Sequence, residues 1–178
     1  MLTLAQNTLT RSRKNRTENL RLHLLEGLRE IYGTKKVLVK KLYKLAENAN
    51  SIKLQETFKN HWKETQNQVR RLEDIFKGMN ASPLEGKCVE VDQLLDELEY
   101  SLVETEIGKF RDAVLISVSQ KIHKFETASY EKMAKCAKLL GFRGTHKLLL
   151  DSVAEEKSFD SKLSRLGFEM ELLKNLVA

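Results

Sequence analysis

A single proline, Pro83, stands in the 178 residues of this chain, and only eight glycines accompany it. Proline and glycine are the main punctuation of tight turns and short strands. A chain with so few of them is pushed toward long helices, because little interrupts the helical hydrogen-bond ladder. The proline falls inside GMNASPLEG, residues 78–86, the strongest loop signal in the sequence. Two other breaks stand out, NANS at 48–51 and GFRG at 141–144.

Between these breaks the apolar residues recur with helical period. Leu25, Leu28, Ile31, Leu38, Leu42 and Leu45 predict a helix from about Glu18 to Glu47. Ser51 is placed to cap a second helix that reaches about Phe76. A shorter acidic helix is expected over Val91–Val103, and a third long one from about Glu106 to Leu140. VLISVS at 114–119 is β-prone but lies inside that longer helical period. Gly141 is placed as a C-cap, and the last helix is expected from about Thr145 to Asn175. The expected fold class is therefore all-α. It is a ferritin-like four-helix bundle of two antiparallel helical hairpins, joined by a long crossover that carries a short helix. Residues 1–18 read as a basic N-terminal arm and 19–178 as the bundle.

The net charge of +6 is concentrated early. Arg11, Arg13, Lys14 and Arg16 precede the first acid, Glu18, and a second basic cluster runs from Lys35 to Lys44. Charge alone permits nucleic-acid binding. No helix-turn-helix, zinc-finger or RNP pattern accompanies it, so nucleic acid is not the expected partner. The acids from Asp92 to Glu106 are complementary to the basic first helix of a partner subunit. No apolar run approaches the roughly 18–20 residues needed to span a bilayer, so no membrane association is expected. Cys88 and Cys136 lack a C-x-x-C spacing, which points to a reducing, cytoplasmic setting.

HWKET at 61–65 and HKFET at 123–127 nearly repeat each other, in a chain with four histidines. Residues three apart share a helix face, so each stretch sets a His and a Glu side by side. The four helical stripes then carry polar residues at similar heights. These are Lys35 on the first, His61 with Glu64 on the second, His123 with Glu126 on the third, and Glu156 on the fourth. Charges inside a bundle are costly unless paired or metal-bound. A carboxylate-bridged di-metal centre takes a Glu from two helices and Glu-x-x-His couples from the other two. Carboxylate and imidazole suit iron, manganese or zinc. Here the couples run in the reverse order, and a protonated Lys35 would repel a metal.

Several stretches in order carry a family resemblance: LREIYGTKKVLVKKL (28–42), FKNHWKETQNQVRRLEDIF (58–76), KCVEVDQLL (87–95), DAVLISVSQKIHKFETASY (112–130) and LLLDSVAEEKSFDSKL (148–163). Over residues 23 to 167 the chain resembles the YciF-like proteins of the ferritin superfamily, which are similar in fold to rubrerythrin. The resemblance implies a stress-associated bacterial protein, often a homodimer, without settled activity. It implies metal-type ligands at His61, Glu64, Glu126 and Glu156. Two positions depart. Lys35 stands where the family has a ligand glutamate. His123 stands where the family has the first glutamate of an E-H-Y-E run, and Lys124 replaces the histidine that follows.

Losing a glutamate and gaining a lysine moves the local charge against metal. The resulting expectation is a degraded di-metal site, rebuilt as a salt-bridge belt in which Lys35 pairs with Glu64, Glu126 or Glu156. No cofactor is expected on this reading, and the protein is expected to be structural or interacting rather than an enzyme. Two alternatives stand beside it. One is a di-iron or di-manganese oxidase or peroxide-decomposing protein. The other is a single iron or zinc held by His61, Glu64, His123 and Glu126. No G-x-S-x-G elbow or phosphate-binding glycine loop offers another chemistry.

Overall fold

A computed structural model of the chain describes the backbone of residues 4–177 and the side chains of residues 14–171. Five helices make up the described fold: α1 (Leu4–Asn48), α2 (Ile52–Gly78), α3 (Val89–Glu104), α4 (Lys109–Leu139) and α5 (Arg143–Val177). α1 packs antiparallel to α2, and α4 antiparallel to α5. Across the hairpins α1 lies beside α4 and α2 beside α5, while α3 rides on α4. This is the expected bundle with a helix-bearing crossover.

The helix ends moved where local chemistry differs from the sequence expectation. α1 begins at Leu4 rather than near Glu18, because no breaker separates the basic stretch from the amphipathic one. Residues 14–19 are exposed, and the first fully buried side chain is Leu24. The Arg11 and Arg13 side chains lie outside the described residues. At the α1–α2 turn Ser51 is the N-cap, yet its hydroxyl makes no capping bond. The acceptor comes from the other hairpin instead. The buried Asp112 carboxylate takes the Asn50 N–H at 2.6 Å and the Ser51 N–H at 2.8 Å. Asp112→Ala should therefore strand two backbone donors and cost about 2 kcal/mol, read as a lower urea midpoint with an unchanged slope. Gly141 has φ +77°, in the left-handed region that glycine adopts without strain; it stands one residue past the α4 C-cap, Leu140, rather than being the cap itself.

The crossover passes close over α1. Gly86 N–H donates to the Arg29 carbonyl at 2.8 Å, and a Cβ on Gly33 would sit 2.0 Å from the Gly86 carbonyl oxygen. Only glycine fits that crossing, which lies two residues from Lys35. α3 then spans the α1–α4 seam. Its Glu99 meets Lys41 of α1 at 2.5 Å, and its Glu97 meets Lys121 of α4 at 3.3 Å. The acidic helix thus engages this chain's own basic first helix.

Two apolar clusters fill the interior. One holds Leu38, Leu42, Leu54, Phe58, Leu115 and Phe159; the other holds Leu24, Leu28, Leu72, Phe76, Tyr130 and Leu149. A layer of buried polar side chains lies between them.

Candidate functional site: a buried polar belt

Each helix of the bundle contributes to that layer by the stripe that faces the core. α1 supplies Lys35, α2 supplies His61, Thr65 and Gln68, α4 supplies His123 and Glu126, and α5 supplies Glu156. All seven are buried. Lys35, Glu126 and Glu156 have no solvent exposure at all.

Lys35 Nζ lies 2.7 Å from Glu156 Oε1 and 2.7 Å from Glu126 Oε1. The first contact is an aligned hydrogen bond. The Glu126 contacts are close in charge but not aligned, since neither of its oxygens accepts a well-directed hydrogen bond. His123 Nδ1 lies 2.5 Å from Glu156 Oε2 and 3.0 Å from Glu126 Oε2. Gln68 Nε2 donates to Glu156 Oε1 at 2.8 Å. Lys35 and His123 thus both face the carboxyl groups of Glu126 and Glu156.

Proton affinities follow from this geometry. Burial works against the charged form of His123, but the Glu156 and Glu126 carboxylates outweigh it and raise its pKa to about 9. Burial also opposes charge on Lys35, and the same two carboxylates hold its pKa above the usual lysine value. Burial would raise Glu156, yet Lys35 and His123 together hold it well below the usual carboxylate range. His61 goes the other way. Burial, and then the charge on His123, lower its pKa. Its ring lies 4.6 Å from that of His123 and stacks on Phe159 at 3.8 Å.

Glu64 stands apart from this cluster. It is about one-third exposed, 3.5 Å from His61 Nδ1 and 4.0 Å from Lys162 Nζ, and pairs with neither Lys35 nor His123. Of the three carboxylates expected to answer Lys35, the fold presents Glu126 and Glu156.

A second layer was not read from the sequence. Arg71 forks onto Glu155, with Nη1 at 2.7 Å from Oε2 and Nη2 at 2.7 Å from Oε1, and Gln68 donates to the same Oε2 at 2.9 Å. Arg71 also donates to the Ser152 hydroxyl at 2.8 Å. The available signal was Glu155–Glu156 as adjacent acids on the stripe, with only Glu156 able to face fully inward. Tyr130 closes the belt on its other side. Lys35 Nζ lies 5.8 Å from its ring centre, and burial drives its hydroxyl pKa well above the usual range.

The donor set fits a di-metal centre poorly. Both Glu156 oxygens already serve Lys35 and His123, and the Lys35 ammonium occupies the space between the carboxylates. One smaller constellation does converge. Single donor atoms of His61, His123 and Glu156 all lie within 4.8 Å of one another. Two imidazoles and a carboxylate form a ligand set suited to one divalent ion.

A family model described as "Domain of unknown function (DUF892)" matches residues 19–172. The chain is 35% identical over 151 residues to Protein YciF of Escherichia coli (strain K12), covering 84% of this chain and 89% of that protein. The crystal structure of the E. coli stress protein YciF is similar at TM-score 0.81 and 33% identity, covering 85% of this chain and 96% of the other. A solved Rhodopseudomonas palustris protein, YcfI, provisionally described as structural, is similar at TM-score 0.79 and 30% identity, covering 82% and 92%. A Xanthomonas campestris structure shares the fold alone, at TM-score 0.69 and 16% identity, covering 89% and 99%.

Proposed function

The chain belongs to the DUF892 family, and on that premise we propose that it is a stress-associated structural or interaction protein. In this reading its bundle is held by a metal-free polar belt, and it pairs with a second copy of itself. The observation that carries the reading is the position of Lys35, with Nζ at 2.7 Å from both Glu126 and Glu156. A permanent cation there supplies the charge that a metal would otherwise bring. The stress association comes from the E. coli relative's description. Support for pairing comes from exposed apolar side chains at the α3–α4 junction, where Tyr100, Val103, Ile107 and Phe110 are each at least 64% exposed.

Elemental analysis after loading with Fe(II), Mn(II) and Zn(II), then desalting, tests the belt. The expected result is no retained metal and no consumption of added peroxide. Lys35→Glu reverses the balance: it should retain metal and be stabilised by it. Two equivalents of iron or manganese held by the unmodified chain would overturn the reading.

A second reading has its own observation, the convergence of His61, His123 and Glu156 within 4.8 Å. One divalent ion could replace the His123 proton, with the Lys35 chain swung aside. Its signature is one retained equivalent that disappears in His61→Gln.

A further inference from the structure

We propose that the groove between α4 and α5 takes the basic N-terminal arm of a second copy of this chain. The groove encloses about 630 Å³ and is lined chiefly by Phe110, Ala113, Ile116, Gly167 and Met170. Its lining is mainly apolar. Phe110, at 70% exposure, and Ile107, at 64%, stand uncovered beside it. Glu171 lines the groove, and exposed Glu104 and Glu106 lie just before α4; among the described lining residues Lys109 is the one cation.

The complement is written at the other end of the same chain. Residues 1–17 carry Arg11, Arg13, Lys14 and Arg16 and no acid. In sequence, Leu2, Ala5 and Leu9 recur at the spacing of an amphipathic helix. The arm lies outside the matched family span of 19–172, and its described side chains, from Lys14 on, are exposed. Its helix is continuous with α1.

The arm cannot reach its own groove. Leu24 packs with Met133, Ala137 and Leu149 at one end of the bundle. The groove lies at the opposite end, where Lys53 of α2 meets Glu169 of α5 at 2.9 Å. The stretch of α1 between those ends is about 36 Å long at 1.5 Å per residue, and the arm points away from it. An antiparallel, axially offset pair puts each arm beside the other copy's groove. Both contacts are then made at once, and the assembly closes with two-fold symmetry.

This inference rests on the pairing proposed above, and the experiment separates the two. Molar mass is measured by light scattering on the full chain and on three variants, with helicity checked by circular dichroism. The variants are an arm reversal (R11E/R13E/K14E/R16E), Phe110→Glu at the exposed rim, and Gly167→Leu. Leucine at 167 fills the groove without a backbone clash, since a Cβ there meets only Ile116 at 3.7 Å. The full chain should run at twice its monomer mass and each variant at monomer mass. Mixing the arm reversal with a groove reversal (E104K/E106K/E171K) should restore a mixed pair. A full-length pair that survives the arm reversal and Phe110→Glu overturns the docking while leaving self-pairing intact. A full chain that is monomeric overturns both.

Discussion

Replacing Lys35 with methionine lowers the thermal midpoint at pH 7 by about 10 °C, corresponding to about 3–5 kcal/mol. Methionine keeps most of the volume, so the loss is electrostatic. Two fully buried carboxylates that shared an ammonium at 2.7 Å would be left with His123 as their one cation. Removing one partner of a buried pair is costly because the other partner cannot return to water. The comparison that isolates this is Lys35→Met with Glu156→Gln. The double variant removes one charge of each sign and should recover a large part of the loss. Lys36→Met is the control. That neighbour is only partly buried, its ammonium lies 5.9 Å from the Tyr32 ring, and its removal should cost under about 1 kcal/mol. A Lys35→Met protein within about 1 kcal/mol of the parent would mean that the belt contributes little.

Stability should peak near pH 6.5 and fall on both sides. The sign follows from the two histidines. His123 has a folded pKa of about 9 against an unfolded value near 6.5. Its contribution is fully present below 6.5 and is lost as pH rises through 9. By linkage the alkaline loss is about 3 kcal/mol. His61 has a lowered folded pKa, so it stays neutral in the fold while the unfolded chain protonates below 6.5. It therefore subtracts stability as pH falls below that point. Glu156, depressed in the fold, adds a further loss below the usual carboxylate range. Urea midpoints from pH 4 to 10 give the profile. His123→Gln should remove the descent between 6.5 and 9 and leave the acid limb in place. A parent profile flat over that interval would contradict the protonated state of His123.

The fold was legible because few residues could stop a helix. The breaks NANS, GMNASPLEG and GFRG separate the long helices, and the apolar stripes mark their inner faces. What sequence reasoning missed were contacts between distant segments. Asp112 capping the α1–α2 turn depends on α4 arriving there, which no local pattern announces. Glu64 was expected inside from its spacing to His61. A side chain three residues on shares the face but lies to one side of it, and at α2 that side is the rim. Stripe position put Lys35 level with Glu64, Glu126 and Glu156 but did not choose among them; the fold brings it to Glu126 and Glu156. The fork of Arg71 onto Glu155 was not legible, since either of two adjacent acids could have taken it.

The belt has a consequence for how the molecule comes apart. Lys35 and Glu156 are 121 residues apart in sequence, and their contact needs both hairpins in place. A half-formed molecule with only the α1–α2 hairpin would hold Lys35 against an apolar surface with no carboxylate to meet it. The α4–α5 hairpin alone would hold Glu126 and Glu156 together with one imidazolium. Each half is thus worse off alone than its apolar contacts suggest. Charges that stabilise the finished bundle thus penalise partial structures, and so sharpen folding into a single cooperative step.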